Sequence, residues 1–388
     1  MTSAGVGVAV NPDGFTAAGL AAHRAHTAAG GGTIDLAVVF AGTRHDDDEF
    51  SAVLSAVRRT LPTATILGCS ATGVLTGSEE VENASAVAVL ALAGDPLPTP
   101  IFVSGVRTDP RGAGGRLGRE ALRVLGGNSV GAALAVLVDP SELDATDFVA
   151  GIADAAPDLI ITGAGASGGE AGCRIFWKDA AQTDGAVALV IPPVLHPSLG
   201  VTQGCQAVGG PHTITAAEGN LILEIDGRPA VEALERALRD PSHPGLRQMS
   251  GHLLAGISEL GAGGRSDYMV RPFEISTNDR PALAVYEPVR TGQTISFTLR
   301  DAIGAREDMK AMLEEQAEFR PAPPAFGFYF NCAGRGSALY GQAGLDPELI
   351  QRRFGALPVA GLESSFEIAP TCGRPRIHMF TGVLLLAG

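Results

Sequence analysis

The sequence of 388 residues has few basic side chains, few aromatic ones and no long apolar run. Its 28 Lys and Arg are outnumbered by 42 Asp and Glu, which gives a formal net charge of −14. This charge argues against nucleic acids and anionic membrane surfaces as partners, because proteins bind both through Lys and Arg. No stretch reaches the roughly 18 apolar residues of a membrane helix, and no basic segment leads into an apolar one at the start. We expect a cytoplasmic protein.

Cysteine and histidine are also scarce. The five cysteines include no C-x-x-C pair, which argues against a disulfide framework and a zinc ribbon. His23 and His26 lie three residues apart but have no third ligand nearby in the sequence. The acids of "RHDDDEF" (44–50) lie at the start of a predicted helix, where their negative charges interact favourably with the helix dipole. We therefore expect neither a metal nor a cofactor.

What the chain does contain is an alternation of strands and helices, with 51 glycines. Three segments repeat one order: strand, polar loop, helix, strand ending in glycine, small-residue loop, strand. The intervals from first strand to loop glycine agree closely: Leu36 to Gly68, Ala133 to Gly163, and Phe326 to Gly361. This pattern predicts an α/β fold in which one strand-helix-strand unit recurs in mixed sheets.

Residues that do not follow the repeated pattern separate the second and third segments. Residues 211–240 predict two strands, a turn at Asp226-Gly227 and a helix that begins near Pro229. A Pro/Gly-rich stretch (241–264), further strands (268–299) and a helix over 305–319 follow. We place the main boundary near residues 195–208, which gives two domains, 1–200 and 201–388.

The small-residue loops are the first candidates for ligand contact, because loops beyond strand ends line ligand crevices in α/β sheets. "GCSATG" offers Cys69, Ser70 and Thr72, and "GAGASGG" offers Gly165, Ser167 and Gly168. "GAGASG" also matches G-x-G-x-x-G, but a dinucleotide fingerprint needs a helix directly after it. "EAGCRIFWKD" predicts an extended segment instead, which argues against a dinucleotide site.

"NCAGRGSALYG" (331–341) is the most chemically suggestive stretch. Arg335 could hold a carboxylate in a bidentate grip and could lower the pKa of the Cys332 thiol, while Gly336 lets the backbone approach a ligand. The alternative is that Arg335 pairs with an internal acid such as Glu363 or Glu367. "GLESSFE" supplies those acids and Ser364, as partners either of Arg335 or of a ligand amine.

Several of these segments together resemble one family, the FIST domains. "TILGCSATGVLTG" is similar to the motif of the N-terminal domain, and "TITAAEGNLILEIDGRPAVEAL" is similar to the start of the C-terminal one. "FNCAGRGSALYG", "LPVAGLESSFEIAP" and "HMFTGVLLL" resemble the closing motifs. The resemblance covers the chain from about residue 30 to its end.

The resemblance implies an intracellular sensory protein that binds a small ligand such as an amino acid or a related metabolite. FIST domains often accompany signalling modules, and an F-box protein carries a related region. We expect a stand-alone pair that holds an amino acid or organic acid between its domains and signals through a protein partner. The alternative is a hydrolase or transferase with Cys332 as nucleophile, which would require a base within reach.

Overall fold

Each of the three repeated segments contributes four strands to a six-stranded sheet, which helices cover on one face. The computed structural model describes residues 2–42, 47–168, 172–239, 252–259, 268–276 and 280–388. Residues 44–46 of "RHDDDEF", Gly169 and most of the stretch 241–264 lie outside this range. The predicted α/β class with repeated units in mixed sheets is confirmed.

The first two units share one order of elements. The first contains β1 (Ser3–Val10), α1 (Gly14–Ala28), β2 (Leu36–Gly42), α2 (Asp47–Thr60), β3 (Thr65–Ala71), β4 (Gly73–Thr76), β5 (Glu80–Glu82) and β6 (Ala86–Ala93). The second contains β7 (Thr99–Ser104), α3 (Pro110–Val124), β8 (Ala133–Val138), α4 (Ala145–Ala155), β9 (Ile160–Gly165), β10 (Ile175–Trp177), β11 (Ala180–Gln182) and β12 (Gly185–Ile191).

The third unit is interrupted after its first strand by a separate sheet. The strand is β13 (Ser198–Gln203), and the insertion contains β14 (Cys205–Glu218), β15 (Leu221–Ile225), β16 (Arg228–Pro229), α5 (Ala230–Ala237), β17 (Leu253–Ser258), β18 (Met269–Arg271), β19 (Phe273–Ser276), β20 (Ala282–Val285) and β21 (Thr294–Arg300). The unit resumes with α6 (Ala302–Phe319), β22 (Phe326–Cys332), α7 (Gly336–Tyr340), α8 (Leu345–Phe354), β23 (Val359–Ser364), β24 (Glu367–Thr371), β25 (Arg374–His378) and β26 (Thr381–Ala387).

The three six-stranded sheets have the same topology. Their strand orders are β1-β6-β2-β3, β7-β12-β8-β9 and β13-β26-β22-β23, and in each sheet the last two strands are parallel. A hairpin from another unit completes each sheet: β10-β11 joins the first, β24-β25 the second and β4-β5 the third. This cyclic exchange ties the two predicted domains together, because hairpins cross in both directions. The division at residue 200 falls within β13 and stays a prediction.

The repeated glycine has the same place in all three units. Gly68, Gly163 and Gly361 lie opposite the fourth residue of the neighbouring parallel strand. A Cβ atom there would lie 1.8, 1.9 and 2.1 Å from the carbonyl oxygen of that residue. Gly68 and Gly163 also have φ angles of 151° and 141°, which L side chains rarely adopt. Only glycine fits this close approach of two strands.

The main core lies between the inner faces of the three sheets. It joins Leu67, Leu137 and Phe328 with other buried apolar side chains from each sheet. The helices pack outside, α1 and α2 on the first sheet, α3 and α4 on the second, and α6 and α8 on the third. The inserted strands have a core of their own around Ile222 and Phe297. Within the described residues, no helix combines the length and the apolar character needed to cross a membrane.

Candidate functional site

Three of the predicted small-residue loops meet, because they follow equivalent strands of the three units. The Ser70 hydroxyl donates to the Ser167 carbonyl at 2.9 Å, and the Thr72 amide donates to Ser167 Oγ at 2.7 Å. The Ser167 hydroxyl donates to the Glu363 carbonyl, and the Thr72 hydroxyl donates to Glu363 Oε2 at 3.3 Å. We call these four residues the loop junction. All four are among the residues that the sequence predicts for ligand contact, and the structure brings them together.

The loop junction is closely packed. Ser70, Ser167 and Glu363 are buried, and their polar groups bond to one another. A Cβ atom on Gly165 would lie 2.4 Å from Ser365 Oγ, and one on Gly168 would lie 2.4 Å from the Gly172 carbonyl oxygen. The small residues therefore permit contact between loops. Ligand contact by this set stays a prediction.

Three other predicted contacts, Cys69, Ser364 and Glu367, have buried side chains. The Cys69 side chain belongs to the main core, and burial raises its thiol pKa well above the usual value. The Ser364 hydroxyl donates to the Asn331 carbonyl at 3.0 Å and to Glu367 Oε1 at 2.8 Å. Glu367 also accepts from the Thr381 hydroxyl at 2.6 Å, and its burial raises its pKa to about 7 despite these bonds.

Arg335 is fully buried at the start of α7 and has an internal partner that the sequence analysis did not name. Its Nε lies 3.0 Å from Asp346 Oδ2 and its Nη2 lies 3.2 Å from Oδ1. The same carboxylate accepts from the hydroxyls of Tyr329 at 2.8 Å and Tyr340 at 2.9 Å. The prediction that Glu363 or Glu367 is the internal partner of Arg335 is therefore wrong. A contact between Arg335 and a ligand stays a prediction.

The Cys332 thiol lies nearby but is not activated. It is 7% exposed and accepts from the amides of Phe380 at 3.2 Å and Gly334 at 3.5 Å. Burial, with the charge of Glu367, raises its pKa to about 12. His378 is also buried and contacts Thr371 and the Ala369 carbonyl. Burial lowers the His378 pKa to about 4.

Two carboxylates beside the loop junction, those of Glu80 and Glu82, were missed from the sequence. Glu80 and Glu82 lie on β5, and this exchanged hairpin sets them beside Glu363 of β23. One oxygen from each of the three carboxylates lies within 4.8 Å of the others. Gly336 follows Arg335 with a φ of 47°, and a Cβ atom there would lie 2.2 Å from Glu82 Oε1. Nothing in "SEEVE" indicates this cluster, because it exists only through hairpin exchange.

A separate cleft of about 730 Å³ lies between the second unit and the inserted sheet. Helix α4 and β25 of the second sheet contribute to the lining, as do β18 and the segment 287–293 of the insertion. The charged side chains that line it are Asp154, Glu259, Arg271, Glu287, Arg290, Arg374 and Arg376. Two other clefts, of about 610 and 620 Å³, lie within residues 208–239 and 317–358 and do not join the two halves of the chain.

Four arginines thus face three carboxylates in this cleft. Arg271 is held by Glu287 and by the Ile377 carbonyl, whereas Arg290 and Arg376 share Glu259 at 3.4 and 3.3 Å. Within the described residues, Arg374 has no ion pair, and it is exposed. Asp154 pairs at 2.5 Å with Arg111, which lies outside the lining. The cleft is therefore a cationic region on an acidic protein.

Comparison with known proteins agrees with the resemblance found in the sequence. Residues 35–228 match the FIST N domain and residues 230–370 match the FIST C domain. The chain is similar to uncharacterized protein Rv0628c of Mycobacterium tuberculosis (strain H37Rv), with 32% identity over 391 residues and 98% of each chain covered. It is also similar to uncharacterized protein Mb0898c of Mycobacterium bovis, with 31% identity over 393 residues and the same coverage.

Among solved structures, a cyanuric acid hydrolase aligns with 100% of this chain and 99% of its own. Its sequence identity is 10% and its TM-score is 0.35. A likeness at this level carries no conclusion about activity.

Proposed function

Because this chain belongs to the FIST family, whose members are small-ligand sensor domains, we propose that it is a cytoplasmic sensor of small carboxylates, amino acids or organic acids. The ligand binds in the cleft between α4 and the inserted sheet. The observation that carries the proposal is the set of arginines in that cleft, Arg374 above all.

The size and charge of the cleft suit such a ligand. Its volume of about 730 Å³ is within the range of about 300–1,000 Å³ typical of small-molecule sites. Arg374 is exposed at the cleft, and Arg376 shares its carboxylate with Arg290. An arginine side chain can donate two parallel hydrogen bonds to a carboxylate. Glu259, which pairs with both Arg290 and Arg376, is the carboxylate that an amino group of the ligand would approach.

The position of the cleft gives a route to a signal. One wall comes from α4 and from β25 of the second sheet, and the other comes from the insertion. A ligand that contacts both walls favours the arrangement that binds it more tightly. A protein partner that distinguishes the two arrangements carries the output.

The residues predicted from the sequence have a different role in this proposal. Ser70, Thr72, Ser167 and Glu363 bond to one another across three units, which favours a role in holding the units together. Arg335 forms a buried ion pair. The alternative of a Cys332 nucleophile has no support in this geometry, since a thiol with a pKa of about 12 is almost entirely protonated at neutral pH.

The test is a thermal-shift screen of the full chain against amino acids and organic acids, because a ligand raises Tm when it binds only the folded state. We expect hits among carboxylates, with shifts lost in Arg374→Ala and reduced in Arg376→Ala. Arg59→Ala, an exposed arginine of α2, is the matched control and should keep the wild-type shift. A carboxylate hit whose shift is the same in wild type and Arg374→Ala would overturn the assignment of the cleft. A screen with no hits would overturn the proposed function.

A further inference from the structure

The carboxylates of Glu80, Glu82 and Glu363 lack a basic partner. Within the described residues, no Lys or Arg forms an ion pair with any of the three. Glu80 accepts hydrogen bonds from the Gly344 amide at 2.6 Å and from Asn331 Nδ2 at 3.0 Å. Glu82 accepts from the Ser337 amide at 2.7 Å and from the Ser337 hydroxyl. These bonds position the carboxylates but do not neutralise their charge.

A fourth oxygen at this place is also unsatisfied. Asn331 is fully buried, and its Oδ1 has no hydrogen-bond partner among the described residues, although its Nδ2 donates to Glu80. Asn331 lies directly opposite Glu363 in the parallel pair β22-β23, so the two side chains share one face of the sheet. A buried amide oxygen without a donor is rare, because it costs about 1–3 kcal/mol. A cation beside the carboxylates would satisfy it.

We propose that Glu80, Glu82, Glu363 and the Asn331 side-chain oxygen bind a divalent cation, with Ca²⁺ as the best fit. All four ligands are hard oxygens, which Ca²⁺ and Mg²⁺ prefer. The carboxylate oxygens lie within 4.8 Å of one another, close enough to bind one ion. Ca²⁺ accepts six to eight oxygens in flexible geometry, whereas Mg²⁺ demands a near-ideal octahedron. Side chains from separate strands suit the less demanding ion.

The cation would fasten the exchanged hairpin to the third sheet. Glu80 and Glu82 come from the first unit, and Asn331 and Glu363 come from the third.

The test is calorimetric titration of the metal-free full chain with CaCl₂ and MgCl₂. We expect one Ca²⁺ per chain and weaker binding of Mg²⁺. Glu80→Gln and Glu363→Gln should each weaken Ca²⁺ binding about tenfold or more, since each removes one ligand charge. These variants should fold, because Gln has nearly the same shape as Glu and adds no charge. Glu79→Gln, an exposed neighbour in the sequence, is the control and should bind as wild type.

A second variant, Asn331→Asp, should change the Tm of the calcium-free protein and the Tm shift produced by Ca²⁺ in opposite directions. Asn331→Asp adds a carboxylate, so it should lower the Tm of the calcium-free protein and increase the Tm shift that Ca²⁺ produces. The proposal is overturned if equilibrium dialysis of the folded wild type at 1 mM Ca²⁺, on the order of the weakest Ca²⁺ sites in proteins, shows no bound ion. It is also overturned if Glu363→Gln binds Ca²⁺ as tightly as wild type. Tighter binding of Mg²⁺ would overturn the choice of Ca²⁺.

Discussion

Replacing Arg335 by Met should strongly destabilise the fold. The guanidinium and the Asp346 carboxylate are 0% and 1% exposed. The substitution removes two of the four hydrogen bonds to the carboxylate and leaves the two from Tyr329 and Tyr340. Removing one partner of a buried ion pair costs about 3–5 kcal/mol, because the other charge stays buried without compensation.

The interaction can be separated from the loss of packing by a double-mutant cycle. Asp346→Leu alone should also destabilise, because it leaves the guanidinium buried and unpaired. The double variant should cost less than the two single changes together by about 2 kcal/mol or more, since it leaves no lone buried charge. Arg123→Met is the matched control: its pair with Glu120 is exposed, and its loss should change the free energy of unfolding by less than about 1 kcal/mol.

The assay is urea unfolding followed by far-ultraviolet circular dichroism. A free energy of unfolding for Arg335→Met within about 1 kcal/mol of wild type would refute the reasoning. If that stable variant also lost its ligand-induced Tm shift, Arg335 would be the ligand contact that the sequence analysis predicted.

Three further predictions follow from the same structure. Replacing Gly68, Gly163 or Gly361 by Ala should lower Tm by several degrees, because the Cβ atom would overlap a strand carbonyl. Gly19→Ala in α1, where the space is open, should instead raise stability by about 0.5–1 kcal/mol. Equal effects of these substitutions in thermal melts would contradict this. Iodoacetamide should label exposed Cys372 before Cys332, whose thiol pKa is about 12. Rapid labelling of Cys332 in a mass-spectrometric time course would contradict this and support Cys332 as a nucleophile. Glu367 has a folded-state pKa of about 7, above the unfolded value of about 4.3. Its proton therefore stabilises the fold at pH 4, and this contribution is lost as the pH rises to 7. The free energy of unfolding falls by about 1.4 kcal/mol per pH unit for one proton. Glu367→Gln should flatten that slope in urea titrations, and an unchanged slope would contradict the assignment.

The repeated unit could be predicted from the sequence because its determinants are local. Strand-helix-strand periodicity and the recurring glycine predict the same unit in each segment. Gly68, Gly163 and Gly361 indeed occupy one structural position. The convergence of Ser70, Ser167 and Glu363 then follows from the repetition, since equivalent loops lie at equivalent ends of the sheets.

The partners of the charged residues could not be predicted, because they depend on long-range topology. Asp346 begins α8 in the sequence, where an acid is explained by the helix dipole alone, yet it is the buried partner of Arg335. Glu80 reaches Glu363 only through the exchange of the β4-β5 hairpin. The arginine cleft likewise joins α4 to β25, more than two hundred residues away. Spacing along the chain contains no information about such contacts.

The most direct test of the proposed function compares a carboxylate hit with its primary amide in calorimetric titrations of wild type and Arg374→Ala. The account predicts that wild type binds the acid at least about tenfold more tightly than the amide, and that Arg374→Ala binds the two alike, because the charge-assisted bond is then gone. An equal preference for the acid in both proteins would show that another group holds the carboxylate, and it would contradict the account.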